Sequence, residues 1–252
     1  MIPVFPQFKP IQLEDRDFFQ QVLWEYQPQT SEWTFTNLFL WRSHYVFHWS
    51  RHGDWLLIIC TSSLRGFSAF QPIGPPSRLR VTRLLLEWLQ EEKRVKNPCL
   101  ERADRRLIAE IEGEKDFLIE PTREQFDYIY RSDDLIQLGG RKYHAKRNHI
   151  HKLSHSYSYA YSPMASEHLE ACLSLGELWC EERRCEEDLS LLGEQEAVRE
   201  ALTHFSAFKI QGGVILIKNQ VEAFALAELL NEQTAVVHIE KANPGIPGLE
   251  GV

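Results

Sequence analysis

At 252 residues the chain is long enough for one large domain or two small ones, and 43% hydrophobic with 25% charged residues is ordinary for a globular fold in water. A formal net charge of -8 excludes a general nucleic-acid coat but leaves room for a local basic patch. The longest apolar run, 55–60, falls far short of the roughly 20 residues that span a bilayer, and no basic start followed by an apolar stretch marks a signal peptide. Five cysteines, odd in number and irregularly spaced, fit reduced thiols in a cytoplasmic protein better than a disulfide frame.

In chain order, Phe8 to Ile11 reads as a strand and Asp15 as the cap of a helix. An aromatic helix over Leu38 to Tyr45 leads into strands at Val46–Trp49, Asp54–Cys60 and Gly66–Gln71. Val81 to Lys93 is an amphipathic helix with Leu84, Leu85, Trp88 and Leu89 as its stripe, and Arg105 to Glu112 is another helix. Phe117–Glu120 and the alternating aromatics of Asp127–Arg131 read as strand-like.

The next stretch inverts the charge of the chain. From Arg141 to His155 there are five Lys/Arg, four His and no acid. On an ideal helix at about 100° per residue, Arg141, His144, Asn148, His151, Lys152 and His155 share one sector, while Tyr143, Ile150 and Leu153 lie elsewhere and can pack. Asp133 and Asp134 are placed to cap this helix, which is expected over about 133–155. The cations fit either a polyanion contact or a solvated face answering the acids at 181–188.

Beyond it come a strand at Tyr157–Tyr161, helices at Ser166–Arg184 and Gly193–Phe208, a turn at Gly212-Gly213, and strands at 214–217, 221–231 and 234–240. Two β-α-α-β-β patterns thus flank the basic helix, with no repeat in the letters themselves. His238 and Glu240, two apart on the last strand, are placed on one face and can serve as proton acceptors. His151 and His155 are one helical turn apart but lack a carboxylate or thiolate in the same segment, and Cys180 and Cys185 lack a second ligand pair, so no metal site is read. Gly245, Gly248 and Gly251 precede no helix and read as a frayed end rather than a phosphate loop.

Asp127-Tyr-Ile-Tyr-Arg131, Asp134-Leu135, Gly140-Arg-Lys-Tyr-His144 and Lys146-Arg-Asn-His149 resemble the signature of the phosphatidylglycerol lysyltransferase C-terminal-like family. Trp179-Cys180, Cys185-Glu186 and His238-Ile-Glu-Lys-Ala242 resemble later blocks of the same family, so the likeness covers nearly the whole chain. The resemblance implies an α+β fold of tandem GNAT-like acyltransferase domains related to the Fem-type aminoacyl transferases. The first would span 1–130, a strand end and basic linking helix 131–155, and the second 156–252. That second domain is expected to be truncated at the C-terminus, since members of the family continue past the His238–Ala242 strand with a helix and further strands.

The implied activity is transfer of an acyl or aminoacyl group to an amine or hydroxyl. Aminoacyl-tRNA or acyl-CoA would be the donor substrate, with no cofactor held tightly and no stable nucleic-acid complex. Glu240 and His238 would act at the acceptor. Arg141, Lys142, His144, Arg147 and Asn148 would meet donor phosphates or substrate. The alternative is a non-catalytic binding protein, or a remnant that keeps the fold without the donor site. Oligomeric state is left open.

Overall fold

A computed structural model describes residues 1–62 and 66–249. The fold is mixed α+β with two sheets, and the chain divides into two compact units. The first comprises Met1–Asp127 with Leu230–Gln233, the second Tyr128–Leu229 with the chain from Thr234 onward.

In the first unit, β1 (Lys9–Pro10), α1 (Arg16–Tyr26), α2 (Phe35–Leu40) and α3 (Arg42–Tyr45) precede an antiparallel run of β2 (His48–His52), β3 (Trp55–Ser62) and β4 (Gly66–Phe70). Then α4 (Leu79–Glu91) crosses to β5 (Leu100–Glu101), which pairs parallel with β4, and α5 (Arg105–Ile111) follows. The strand order is β1-β2-β3-β4-β5.

The unbroken apolar run of β3 has a simple cause, because both of its faces are covered. Leu57 and Ile59 pack with Ala69 of β4 against Val81, Leu85 and Leu89, which recur every four residues along α4. Leu56 and Ile58 are equally buried on the other side. There Ile58 pairs with Trp49, whose ring meets Phe19 edge-on and stacks on Phe18. Each such side chain contributes roughly 1.5–3 kcal/mol by leaving water. Asp15 does not cap α1 through its side chain, as the sequence had suggested. Its carboxylate instead accepts from Trp49 Nε1 (3.0 Å), Lys9 Nζ (2.6 Å) and the Gln12 backbone N–H (3.0 Å).

A buried ionic network joins α1, α4 and α5. Arg78, with 2% of its side chain exposed, donates through Nε and Nη2 to Glu110 Oε1 (2.9 and 2.7 Å) and through Nη1 to the Tyr26 hydroxyl (2.6 Å). That hydroxyl donates to Asp104 Oδ2 at 3.0 Å, and Asp104 caps α5 by accepting from Leu107 N–H at 2.9 Å. Burial works to raise the Asp104 carboxyl, but the Leu107 bond, the Arg106 charge, Gln71 and Tyr26 outweigh it and hold the group below the usual carboxylate range. Burial first, and then the Asp104 charge, push the Tyr26 phenol from 10.0 to about 12.

The second unit begins with α6 (Ser132–Gln137) and α7 (His144–Ser156), separated by a turn at Leu138–Gly140 and a 3-10 turn at Arg141–Tyr143. The expected single helix over 133–155 is therefore two. Leu138 and Gly140 both take positive φ (47° and 78°), which an α-helix does not allow. Asp133 and Asp134 lie in the first turn of α6, so they do not cap the basic helix. The expected strands at Phe117–Glu120 and 127–131 are irregular chain, with Leu118, Tyr128 and Ile129 more than four-fifths exposed. Alternation alone provides no neighbouring strand to bond with.

Next come β6 (Tyr159–Pro163), α8 (Leu169–Arg183), α9 (Leu189–Thr203), α10 (Phe205–Phe208), β7 (Gln211–Ile217), β8 (Gln220–Asn231) and β9 (Thr234–Ala242), in the sheet order β6-β7-β8-β9. One face of this sheet carries α7. Leu153 forms a cluster with Ile217 and Leu249, with Ile215, Ala223 and Ala242 packed around it. On the other face, Lys241 meets α8 and α9.

Gly212 and Gly213 lie inside β7 rather than in a turn. A Cβ on Gly213 would stand 2.6 Å from the Tyr161 ring, so glycine is required for that ring to lie across the strand. The tail is ordered against α7, not frayed. Leu249 is 1% exposed, and Gly248, at φ 101°, passes so close to His149 that a Cβ would sit 2.8 Å from its carbonyl oxygen. Gly251 lies outside the described residues.

The cysteine expectation is corrected as well. Cys180 and Cys185 form a disulfide, while Cys60, Cys99 and Cys172 are thiols. The helix ends between the pair, at Arg184 in left-handed conformation (φ 51°), which turns the chain back and brings the two Cα atoms to 5.2 Å.

Candidate functional site

The sequence-predicted residues all fall within the second unit, on α7 and its lead-in turn or on β9. The amphipathic reading of α7 holds. Tyr143 and Leu153 are buried, while Arg141, His144, Arg147, Asn148, His151, Lys152 and His155 are exposed.

The cations differ in what occupies them. Lys142 Nζ donates to Asp134 Oδ2 at 2.8 Å, and that bond raises the ammonium above its ordinary range and lowers the carboxyl. Arg147 turns Nη1 back onto the carbonyls of Leu138 and, at 2.8 Å, Gly140. It thus pins the break between α6 and α7. His144 Nε2 and Asn148 Nδ2 are 3.2 Å apart along one turn of the helix. His151 and His155 stack at 4.0 Å between ring centroids. Among the described residues no group of three or more His, Cys, Asp or Glu is placed to hold a metal ion.

On β9, His238 and Glu240 stand in different surroundings. Glu240 is exposed, two residues before Ala242 and therefore on the α7 face by strand alternation. The His238 side chain is 4% exposed and bonded through Nε2 to Glu228 Oε1 of β8 at 2.8 Å. Glu228 was missed in the sequence reading. About a two-residue turn at 232–233, plain hairpin pairing sets Glu228 opposite Val237, so spacing alone did not announce the partner of His238. When Nε2 carries the ring proton it donates to Glu228, and Nδ1 keeps its lone pair for an incoming proton. This is the dyad logic of a carboxylate that orients an imidazole.

Lys241, also missed, is 6% exposed. Its ammonium donates to Glu194 Oε1 at 2.7 Å and sits 3.2 Å from the centroid of the Trp179 ring. A cation so enclosed ties β9 to α8 and α9.

The first unit offers a contrasting feature. The N-terminus of a helix after a β-strand can bind a donor phosphate, and α4 follows β4. Here the start of α4 is already taken, since the Arg78 backbone N–H donates to Glu110 Oε2 at 2.6 Å.

Comparison with known proteins places the chain. The family described as phosphatidylglycerol lysyltransferase, C-terminal, matches residues 25–251. The chain belongs to this family. No curated protein matches the sequence. A crystal structure of a conserved protein of unknown function from Bacteroides thetaiotaomicron VPI-5482 is 30% identical with a TM-score of 0.84, covering 98% of this chain and 82% of that one. The C-terminal domain of a protein assigned as a lysylphosphatidylglycerol synthetase from Agrobacterium fabrum shares the fold. Its TM-score is 0.55 at 10% identity, over 94% of this chain and 70% of that one. Among the described residues of this family member, no helix is long and apolar enough to cross a membrane.

Proposed function

We propose that this member of the phosphatidylglycerol lysyltransferase C-terminal family transfers an acyl or aminoacyl group from acyl-CoA or aminoacyl-tRNA to an amine or hydroxyl. The observation that carries the reading is the part-buried His238–Glu228 pair, on the same unit as the basic helix α7. His238 Nδ1 takes the proton of the acceptor as it attacks the donor carbonyl, Glu228 holds the ring in orientation, and the donor's oxygen or sulfur leaves with a proton. No protein nucleophile is needed. Glu240, exposed on the α7 face, orients the acceptor. Arg141, His144 and Asn148 meet donor phosphates from the outer side of the helix. Lys142 and Arg147 serve that surface as positioning residues, because they hold α6 and the Leu138–Gly140 turn.

We read the two units as tandem GNAT-like domains. Both run strand, helices, then three antiparallel strands: β1, α1–α3, β2–β4 in the first and β6, α8–α10, β7–β9 in the second. The occupied start of α4 argues for donor chemistry in the second unit.

The test incubates the protein separately with charged tRNA and with acyl-CoA, over a panel of small amines and alcohols, and follows donor loss above the protein-free blank. The reading expects one donor class to be consumed, with loss of that activity in His238→Ala and weakened donor binding in Arg141→Ala. Failure to consume either donor, or full activity in His238→Ala, would overturn it.

A further inference from the structure

The first unit contains a cavity of about 200 Å³ that plays no part in the transfer proposed above. Its lining combines polar side chains, Glu32, Asn37 and Arg102, with aromatic ones, Trp41, Tyr45 and Phe70 among them. Arg102 lies 5.6 Å from the ring centroids of both Tyr45 and Phe70, which fixes its plane. Its Nη1 donates to Glu32 Oε1 at 2.8 Å, yet its buried Nε has no hydrogen-bond partner among the described residues. Buried donors are rarely left unmade, because desolvation is then uncompensated.

The charges narrow the occupant. Ser31, also in the lining, donates to Asp127 through its backbone N–H (3.0 Å) and hydroxyl (2.6 Å). The guanidinium is already paired with the Glu32 carboxylate, which disfavours a lone anion. A lone cation would compete with Arg102 for the faces of Tyr45 and Phe70. A ligand that carries both charges on adjacent atoms matches the pair: a carboxylate beside the Arg102 fork and an ammonium beside Glu32. The aromatic walls then take an apolar substituent.

We infer that this cavity binds a free zwitterionic α-amino acid with an apolar or aromatic side chain, through Arg102, Glu32 and the Trp41–Tyr45 wall.

Isothermal titration calorimetry on the full chain tests it with five probes: phenylalanine, leucine, glycine, phenethylamine and 3-phenylpropionate. Phenylalanine and leucine should bind, and glycine and the two singly charged analogues at least about tenfold more weakly. Glu32→Gln should weaken phenylalanine and bring 3-phenylpropionate level with it. Trp41→Ala should weaken phenylalanine more than leucine at an unchanged melting temperature. If Glu32→Gln fails to fold, Trp41→Ala and the analogue series decide alone. No heat from either amino acid at millimolar concentration, binding of a singly charged analogue as tight as phenylalanine, or binding unchanged in Trp41→Ala would each overturn the inference.

Discussion

Arg78 in the first unit and His238 in the second are almost equally hidden from solvent, at 2% and 4% of their side chains, yet their settings differ. Arg78 is gripped by Glu110 and Tyr26, and the network runs on through Asp104 to Arg106 and Leu107. His238 is held by Glu228 through one nitrogen. A network closed on itself joins elements, and its ionisable groups are committed to one another. An imidazole anchored at one nitrogen can still act through the other. Burial of a titratable group therefore does not mark a reactive site by itself, and the role proposed for His238 rests on its second nitrogen.

The contrast can be broken or sharpened by mutation. Arg78→Leu strands Glu110 and Asp104 and should cost about 3–5 kcal/mol, read as a fall in the denaturant midpoint. A loss under 1 kcal/mol would mean the network is incidental. Leu153→Ala removes the anchor between α7, the sheet and the tail and should cost about 2–5 kcal/mol. Hydrogen exchange should then rise along α7 and residues 243–249 before it rises elsewhere.

The Tyr26 phenol sharpens the same comparison through pH. Its folded value, about 12, lies above the ordinary 10.0, so the folded chain keeps a proton that the unfolded chain gives up. The contribution is intact below pH 10 and disappears as pH climbs from 10 through about 12. Tyr26→Phe should flatten that alkaline limb. At the other end, the depressed Asp104 carboxyl contributes above the ordinary carboxylate range and loses its contribution as acid protonates it.

The smallest expected effect is chemical. Native protein treated with iodoacetamide should take label at exposed Cys99 and not at Cys60 or Cys172, whose thiols burial pushes up to about 11 and about 12. Cys180 and Cys185 should take none without reductant, whereas early labelling at either would show that the pair is open.

Local pattern made much of the fold legible. The apolar run of β3, the apolar stripe of α4 and the packing face of α7 all follow from spacing. What spacing could not show was partnership across distance. Glu110 lies 32 residues from Arg78, and nothing in either neighbourhood announces the other. The aromatic alternation at 127–131 looked like a strand because sequence carries period but not the adjacent strand that would complete it. The site was legible in part. His238, Glu240 and the basic helix were visible, while Glu228 and Lys241 needed the register of the hairpin and the placement of α8 and α9. Two of the predicted phosphate contacts, Lys142 and Arg147, proved to be committed within their own segment.

The most direct test of the account is single-turnover consumption of the preferred donor by wild-type protein, His238→Ala and Glu228→Gln, each checked for an unchanged fold. The account predicts a fall of about 10²–10⁴-fold for His238→Ala and a smaller fall, with an altered pH profile, for Glu228→Gln. Equal rates in all three proteins would contradict it.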